Sequence, residues 1–371
     1  MNHSQPAYDL PTAEYQARLE RLQACQKRQG LDALFIFTEV NRYYLTGLQT
    51  SNGLLLTQAG CEPVFYTDFR YLAMAKRAAP WLPCRKLWKP SDEQARLAGA
   101  GKGWRRVGYE GRLEAARFLQ LQAALPQVEW VNISATLAEL RSVKSRAEQQ
   151  ALRAATAAND ALFATVLRQV APGMSEWEIR GLVRREADRL GQGEAFDTIA
   201  CAGKNGAECH HHPDDTRLKQ GQPLLLDLGL KLNHYCADMT RCVFFGSPPP
   251  LYREIYQIVH TANRKAIRAI KPGANCCDID AVARGHIDKA GYGSAFGHGL
   301  GHGLGLEVHE APSFSSTCKT MLKPGMVITV EPGIYLPGKL GVRIEDVVLV
   351  TRTGCEVLTQ TPRELLPLPK R

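Results

Sequence analysis

Long apolar runs are missing from the sequence. No stretch approaches the ~18 consecutive apolar residues that a membrane-spanning helix needs. The N-terminus, MNHSQPAYDLPTAEY, has no apolar segment of the kind that a secretory signal carries. The sequence therefore predicts a cytoplasmic protein with no membrane partner.

Clustered charge is missing as well. The net charge is +9, yet lysine and arginine alternate with acidic residues and form no block of five or more. A nucleic-acid-binding surface would show basic residues in a patch or stripe. We therefore expect a solvated surface and no nucleic-acid partner.

The cysteines form no framework. There are eleven, an odd number, and no CxxC pair occurs among them. In a chain this long, such a pattern favours free thiols in a reducing compartment over a disulfide scaffold.

The length of 371 residues exceeds the usual size of one domain, so we expect two. Residues 1–12 are polar and contain two prolines, which predicts a flexible tail. Residues 13–140 alternate strand and helix patterns, which indicates a smaller α/β domain. The predicted second domain covers residues 141–371.

In the first domain, the helices are expected at Glu14–Gln29, Asp68–Ala79, Asp92–Ala98 and Leu113–Leu125. The expected strands are Leu31–Thr38, Gly53–Thr57, Pro63–Tyr66, Arg85–Trp88, Arg106–Tyr109 and Val128–Asn132. No glycine-rich phosphate loop follows any of these strands, which argues against a nucleotide site.

The second domain repeats one pattern. A long alanine-rich helix is predicted for Leu137–Val170, followed by a proline-glycine turn and a capped helix that ends near Leu190. The same order returns with helices at Tyr252–Ala269 and Asp278–Ala290. Two helix-turn-helix units, each followed by strands, indicate an internal duplication.

The stretch Pro223–Arg241 places two aspartates in apolar surroundings. Asp227 interrupts an apolar run, and Asp238 lies in the next short segment after a turn-like Leu232–His234. An unpaired buried carboxylate is costly, so a cation is the expected partner. If the two segments pair as antiparallel strands, both carboxylates can face one site. In isolation, such a pair is more typical of strand-end aspartates that cap turns, and the segments downstream change this balance.

Three further segments carry candidate ligands. Residues 297–310, GHGLGHGLGLEVHE, place three histidines in a glycine-rich loop that cannot form a stable helix. Met326–Tyr335 is a β-branched strand that runs into Glu331-Pro332-Gly333. Gly341–Val350 is predicted as one strand on which Arg343 and Glu345 share a face.

Together these segments supply one imidazole and four carboxylates: Asp227, Asp238, His302, Glu331 and Glu345. This oxygen-rich set suits divalent manganese, cobalt, iron or zinc, and manganese is our first choice. Four carboxylates carry too much charge for one divalent cation, so two ions are expected. Two metals that share carboxylates can activate a water molecule, which implies hydrolysis.

These motifs resemble the pita-bread metallopeptidases. The D-x10-D spacing, the GHGxGHxxGLxxHE loop, VEPGIY and GxRIED are similar to the aminopeptidase P and prolidase branch, which cleaves Xaa-Pro bonds. NRYYLTG at 41–47 and TDFRY at 67–71 resemble the creatinase-type N-terminal domain of that branch. The resemblance implies an α+β fold with a C-terminal pita-bread domain, and a homodimer.

The resemblance also implies roles. Asp227 would bind one metal, Asp238 and Glu345 would bridge both, and His302 with Glu331 would complete the other. Glu331 would also be the general base. His210 would hydrogen-bond the reacting amide or intermediate, His309 would assist from the other side, and His298 would line the proline pocket. Thr240 and Arg343 would orient the ligands.

One departure concerns Cys209, which stands where the family has a proline, and His211 and His212 follow His210. This leaves His211 as an alternative catalytic histidine.

The resemblance leaves three functions open. The leading expectation is an Xaa-Pro aminopeptidase that acts on a peptide with proline in the second position, and the alternative is an Xaa-Pro dipeptidase, or prolidase. A non-catalytic binding protein on the same scaffold is a remote third. A metal-independent amidinohydrolase of the creatinase type is a further class. Both it and the binding protein predict that some metal-ligand residues are missing, whereas all five are present.

Overall fold

The computed structural model describes residues 10–87 and 96–367. The described residues divide into two compact units, one on each side of the junction between Arg141 and Ser142. Of the tail predicted for residues 1–12, residues 1–9 lie outside the described residues, Leu10 is buried, and the first helix begins at Thr12. No helix in the described part of the chain is long and apolar enough to cross a membrane.

The first unit is built on a six-stranded mixed sheet. The strand order is β4-β3-β2-β1-β5-β6, with β1–β2 and β2–β3 antiparallel and the other neighbours parallel. The strands are β1 Ala33–Ile36, β2 Leu54–Gln58, β3 Val64–Thr67, β4 Cys84–Lys86, β5 Arg106–Tyr109 and β6 Glu129–Asn132. The helices are α1 Thr12–Arg28, α2 Glu39–Thr46, α3 Phe69–Ala78, α4 Ala115–Ala124 and α5 Ser134–Ser142.

The alternation predicted for this unit is confirmed. The predicted strand ends agree with the structure to within a few residues, and Trp88 lies outside the described residues. The helix expected at Asp92–Ala98 also falls largely outside them. The NRYYLTG motif forms most of α2, and the helix ends at Gly47, whose φ of 73° is a left-handed conformation that glycine adopts without strain.

The second unit contains two helix pairs and several sheets that are antiparallel except where β19 pairs parallel with β11. The helices are α6 Arg146–Gln169, α7 Glu176–Leu190, α8 Pro250–Ala269 and α9 Cys276–Lys289. A four-stranded sheet has the order β19-β11-β8-β7, and a five-stranded sheet has the order β13-β12-β14-β17-β18. The strands of these two sheets are β7 Ile199–Ala202, β8 Pro223–Leu228, β11 Met239–Phe244, β12 Gly301–Gly303, β13 Glu310–Phe314, β14 Val327–Val330, β17 Asp346–Val350, β18 Cys355–Val357 and β19 Leu366–Pro367. Two hairpins complete the unit, β9 Lys231–Leu232 with β10 Tyr235–Cys236, and β15 Gly333–Leu336 with β16 Leu340–Arg343.

The two helix pairs are connected in the same way. Gly173 N donates to Leu218 O and Gly273 N donates to Leu322 O, both at 2.8 Å. Both glycines have positive φ, +89° and +79°, at the turn between the helices of their pair. The duplication indicated by the sequence is therefore present in the hydrogen bonding, and each pair packs beside the strands that follow it.

One strand prediction needs correction. Gly341–Val350 is not a single strand but breaks at Ile344-Glu345 between β16 and β17, which belong to different sheets, so Arg343 and Glu345 do not share one strand face. The strand predicted to run into Glu331-Pro332-Gly333 is β14, and after a break at Glu331-Pro332 the chain continues as β15 in a different sheet. The long helix predicted at Leu137–Val170 also breaks, because Ser145 caps a new helix and Lys144 N donates instead to Gly325 O at 2.9 Å.

Candidate active site

Asp227 and Asp238 come together because β8 and β11 pair antiparallel. Thr240 lies opposite Asp227 in the register, and Asp238 immediately precedes β11. The connection is the β9–β10 hairpin, where Asn233 and His234 have φ of 51° and 68°. The antiparallel pairing that the sequence analysis gave as a condition is present, and both carboxylates line the same cavity.

His302 lies in the middle of β12, between β13 and β14. Its neighbouring glycines allow this close packing: a Cβ at Gly301 would lie 2.0 Å from the carbonyl oxygen of Thr329, and one at Gly303 would lie 2.4 Å from that of Ala311. The glycine-rich loop therefore forms a strand that lets the sheet backbones approach around the imidazole.

Glu331 and Glu345 occupy the corner where the two broken strands change sheet. Glu331 N donates to Leu300 O at 2.8 Å, which joins it to the segment before His302. Glu345 N donates to Thr240 O at 3.1 Å, which joins it to β11. Each break thus brings one glutamate beside one of the two ligand-bearing segments.

The distances leave room for a cation among these groups. His302 Nε2 lies 3.3 Å from Glu331 Oε1 and 3.8 Å from Asp238 Oδ2. Ligand atoms of Asp238, His302 and Glu345 all lie within 4.8 Å of one another. Metal–ligand bonds of about 2.0–2.2 Å fit such a group. Asp227 Oδ1 is buried and has no hydrogen-bond partner among the described residues, so it has a free lone pair for a metal.

The electrostatics of the cluster, like its distances, favour a bound cation. Burial, followed by the neighbouring carboxylate of Asp227, raises the pKa of Asp238 well above its ordinary value. Burial and the carboxylate of Asp238 likewise raise the pKa of Glu345. Four carboxylates this close disfavour full ionisation unless cations balance them. The residues present therefore fit divalent metal ions.

Glu331 and His302 balance each other. Burial is the largest single influence on His302 and would lower its pKa, but the hydrogen bond to Glu331 and the charges of Glu331 and Asp238 together raise that pKa to about 9. Burial is the largest single influence on Glu331 and would raise its pKa, but His302, Arg343 and His298 together make the net shift downward. His302 Nδ1 lies 3.1 Å from the carbonyl oxygen of Gly303, which orients Nε2 towards the carboxylates.

Thr240 and Arg343 connect the carboxylates from behind. Thr240 is fully buried, donates to Glu345 Oε2 at 2.7 Å and accepts from Arg343 Nε at 2.9 Å. Arg343 Nη2 donates to Asp227 Oδ2 at 2.5 Å. One hydroxyl and one guanidinium thus fix two of the acidic side chains.

A cavity of about 630 Å³ opens above the cluster. The predicted site residues that line it are Asp227, Asp238, His210, His298, His302, His309, Glu331, Arg343 and Glu345. Thr240 is the predicted site residue that lies behind the cavity wall.

Two histidine rings stand beside the cluster. The rings of His309 and His302 meet edge to face with centroids 4.3 Å apart. His298 Nε2 lies 3.0 Å from the hydroxyl of Tyr335, which also accepts from Arg343 Nη1 at 2.8 Å. Sequence reasoning assigned no role to Tyr335, although it is the last residue of the VEPGIY motif and alternates with Gly333 on the same strand.

His210 and His211 have different surroundings. The ring of His210 is exposed at the cavity, and no hydrogen-bond partner lies within its reach among residues 10–87 and 96–367. His211 Nε2 instead lies 2.7 Å from the buried carboxylate of Glu176. The sequence analysis predicted a capped helix at this point but assigned no role to its first residue, Glu176.

The comparisons with known proteins cover both units. Residues 150–352 match metallopeptidase family M24, and residues 18–143 match the creatinase/prolidase N-terminal domain. The Xaa-Pro dipeptidase of Pyrococcus furiosus is 37% identical over 350 residues, which is 94% of this chain and 99% of the relative.

Solved structures agree with these sequence matches. An Xaa-Pro dipeptidase from Bacillus anthracis superposes with a TM-score of 0.90 at 33% identity, over 95% of this chain and all of that one. An X-Pro aminopeptidase from Thermotoga maritima gives a TM-score of 0.84 at 32% identity, over 92% of this chain and 99% of that one. The fold is thus the predicted α+β pita-bread arrangement with a creatinase-type N-terminal domain. The family matches and the fold show that the chain belongs to the M24 metallopeptidases, in the branch that contains prolidase and aminopeptidase P.

Proposed function

We propose that this metallopeptidase hydrolyses the Xaa-Pro bond of dipeptides, as a prolidase. The sequence alone led us to expect an Xaa-Pro aminopeptidase first, but the relatives favour the dipeptidase alternative. Full-length similarity to the dipeptidases of Pyrococcus furiosus and Bacillus anthracis supports it. The similarity to the Thermotoga maritima aminopeptidase keeps the other activity as the second candidate.

The observation that carries the proposal is the group of four carboxylates and one imidazole at the base of a substrate-sized cavity. A binding protein without catalysis has no need for such a costly assembly of buried acids. Two divalent ions would balance it, with Asp227 on one, His302 and Glu331 on the other, and Asp238 and Glu345 between them. When bound, such ions polarise a carbonyl group and make water a stronger nucleophile near neutral pH.

Glu331 is the proposed general base. Although burial would raise its pKa, His302, Arg343 and His298 together lower it, which favours the ionised carboxylate that can accept a proton. As the water oxygen bonds to the carbonyl carbon, its proton passes to Glu331. Glu331 then returns a proton to the proline nitrogen as the C–N bond breaks. Thr329 Oγ1, 3.3 Å from Glu331 Oε1, helps to hold the carboxylate in place.

The three other histidines bind and stabilise the substrate in this proposal. His210 is free to donate to the carbonyl oxygen as negative charge develops on it. His309 stands on the side of His302, with its pKa lowered by burial and by that neighbouring imidazole, so it is a neutral hydrogen-bonding group. His298, held by the Tyr335 hydroxyl and packed edge to face against Phe296, forms a rigid wall for the proline ring.

Proline explains why such a site is specialised. The imide nitrogen of an Xaa-Pro bond carries no N–H, so a general peptidase loses the hydrogen bond that it makes to that group. A pocket wall formed by the ring of His298, which needs no N–H donor on the substrate, therefore suits this substrate.

A peptide panel tests the proposal. Protein stripped of metal would be reloaded with manganese, cobalt, zinc or iron and assayed with Xaa-Pro, Xaa-Pro-Xaa and the matched Xaa-Ala peptides. We expect rapid cleavage of Xaa-Pro dipeptides, with manganese the most effective metal. Preference for Xaa-Pro-Xaa would instead support the aminopeptidase, and failure to cleave either proline peptide would refute both. Light scattering on the same preparation would test the expected homodimer.

A further inference from the structure

A second buried carboxylate lies outside the proposed metal cluster. Glu176, the first residue of α7, has a side chain with no exposed surface. Its Oε1 accepts from Ala202 N at 2.6 Å and from Asn205 Nδ2 at 3.0 Å. Its Oε2 accepts from His211 Nε2 at 2.7 Å and from Asp214 N at 3.0 Å. All four donors belong to residues 202–214, so one carboxylate ties this whole segment to α7.

His211 is held on both sides. Nε2 bonds to Glu176, and Nδ1 lies 3.2 Å from the carboxylate of Glu208. Burial is the largest single influence and would lower the pKa of His211, but these two hydrogen bonds and the charges of Glu176 and Asp214 together raise it. Acidic neighbours at both ring nitrogens thus favour the protonated imidazole.

The spacing distinguishes this cluster from a metal site. In the proposed metal centre, His302 Nε2 and the nearest carboxylate oxygens are 3.3 and 3.8 Å apart, which leaves room for an ion. His211 and Glu176 are 2.7 Å apart, which is a direct charge-assisted hydrogen bond with no space between the atoms. Both oxygens of Glu176 are already used by two donors each.

His210 lies between two anchored neighbours. On one side, the carbonyl oxygen of Cys209 accepts from Arg343 Nη1 at 3.3 Å. On the other side, the ring of His211 is fixed by Glu176. The backbone of His210 is therefore held at both ends, while its ring faces the cavity above the cluster.

We propose that Glu176 and His211 are positioning residues that fix the segment 202–214 so that His210 points at the reacting bond. The inference rests on the role of His210 in the proposed function. It also gives His211 a role that excludes it as the catalytic histidine. Without Glu176, the part of the segment that Arg343 holds would stay in place, but the turn at 210–211 would become mobile. Misplacement of His210 by about 1 Å can cost about 100-fold in rate.

A double-mutant cycle tests this in the full-length, metal-loaded protein. Glu176→Gln keeps the shape of the side chain but cannot serve four donors. We expect kcat to fall about 10- to 100-fold with KM changed only a few-fold, because the loss falls on the transition state. In a His210→Ala background, Glu176→Gln should lower kcat by less than about twofold, because the effect of Glu176 on kcat passes through His210. Glu178→Gln is the matched control, since this carboxylate is half exposed on the same helix turn, and it should leave kcat unchanged.

Amide hydrogen exchange supplies a readout that does not depend on catalysis. In Glu176→Gln, amides within residues 202–214 should exchange about tenfold faster or more, the effect expected when a buried charged hydrogen bond is lost. His211→Gln is a second variant in case Glu176→Gln does not fold. It should show the same fall in kcat and the same faster exchange of amides within residues 202–214.

Three outcomes would overturn the proposal: equal losses of kcat in both backgrounds, unchanged exchange, or loss of a bound metal ion from Glu176→Gln. If the parent protein cleaves no Xaa-Pro peptide, the proposed function fails instead. The exchange measurement then still decides whether Glu176 holds the segment.

Discussion

At the residue scale, two glutamates at one sheet corner have opposite electrostatic environments. Burial would raise the pKa of Glu331, but the imidazole of His302, with Arg343 and His298, lowers it. Glu345 faces other carboxylates, so burial and the charge of Asp238 raise its pKa. One of the two is therefore ready to exchange protons, and the other needs a cation to become ionised.

Glu331→Gln tests the assignment of the general base. The amide cannot accept a proton, so we expect turnover to fall by about 10²- to 10⁴-fold at saturating manganese. The measurement is kcat on an Xaa-Pro dipeptide together with the metal content of the variant. Glu356→Gln, a half-exposed glutamate that pairs with Arg153, is the control. Activity within a few-fold of the parent would contradict the assignment.

Thr240→Val tests the support behind the ligands. The variant keeps the shape of the side chain but leaves Arg343 Nε and Glu345 Oε2 without their shared hydroxyl. We expect the free energy of unfolding to drop by about 1–3 kcal/mol, because two buried polar atoms lose a partner. Metal affinity should fall by about 10- to 100-fold.

Thr240→Ser is the matched control because it retains the hydroxyl. Urea unfolding and a metal titration measure the two effects. Equal behaviour of the serine and valine variants would show that the hydroxyl is not what orients Glu345.

At the scale of elements, the site depends on strands that change sheet. The breaks at Glu331-Pro332 and Ile344-Glu345 lie opposite each other, since β14 pairs with β17 on one side and β15 pairs with β16 on the other. A continuous strand would turn successive side chains to alternate faces of one sheet. The corner instead directs both glutamates towards the ends of β11 and β12.

These breaks also show where sequence reasoning stops. Alternating apolar residues identified both strands and their charged residues, but periodicity carries no information about which sheet a strand joins. The antiparallel pairing around Asp227 and Asp238 was predictable because the turn between them is short. The network of Glu176 was not, because its partners at 202–214 are distant in sequence and a buried glutamate at a helix start resembles an ordinary capping residue.

The start of α6 carries a sequence signal for the break between α5 and α6. Ser145 and Glu148 have the spacing of a capping box, and both of its hydrogen bonds are present. The alanine-rich composition on either side favours helix so strongly that the sequence analysis predicted one continuous helix across this boundary. The break matters because it leaves Lys144 free to pair with Glu310 at 3.1 Å, with both side chains buried.

Gly341→Ala tests the contact between β16 and the 3₁₀ turn Gly203–Ala207 that precedes His210. A Cβ at Gly341 would lie 1.7 Å from the carbonyl oxygen of Gly206, so one backbone must move. We expect a loss of about 1–3 kcal/mol in the free energy of unfolding, with a lower kcat because the turn carries the His210 segment. Thermal unfolding and steady-state kinetics measure both effects.

Gly285→Ala is the control for this substitution. Gly285 lies inside α9 with open space around its Cβ position, so alanine should stabilise the protein by about 0.5–1 kcal/mol without changing kcat. A stable, fully active Gly341→Ala variant would show that the turn and strand can separate without harm.

At the scale of the whole molecule, the proposed metal site would couple activity to stability. The proposed ligands come from the duplicated halves of the second unit, with Asp227 and Asp238 after the first helix pair and His302, Glu331 and Glu345 after the second. An ion bound by both sets would link the two halves. Binding to the folded state alone adds about 2.7 kcal/mol when the concentration of the ion is 100 times its dissociation constant.

The pH dependence of this coupling has a definite sign. The pKa values of Asp238 and Glu345 are raised in the metal-free fold by burial and by neighbouring carboxylates, so the fold holds protons that the unfolded chain has lost. Their contribution to stability is complete below the unfolded pKa of about 4 and is lost as the pH rises through the folded values. Divalent ions compete with these protons, so their stabilising effect should grow over the same range.

We therefore expect manganese to raise the melting temperature more at about pH 8 than at about pH 5, with stripped protein as the reference at each pH. Differential scanning calorimetry at fixed manganese concentration measures the difference. In Asp238→Asn, one of the two raised carboxylates is gone, so the stripped protein should lose less stability between these pH values. An equal manganese effect at both pH values, or an unchanged pH slope in Asp238→Asn, would mean that these carboxylates do not bind their protons in competition with the metal.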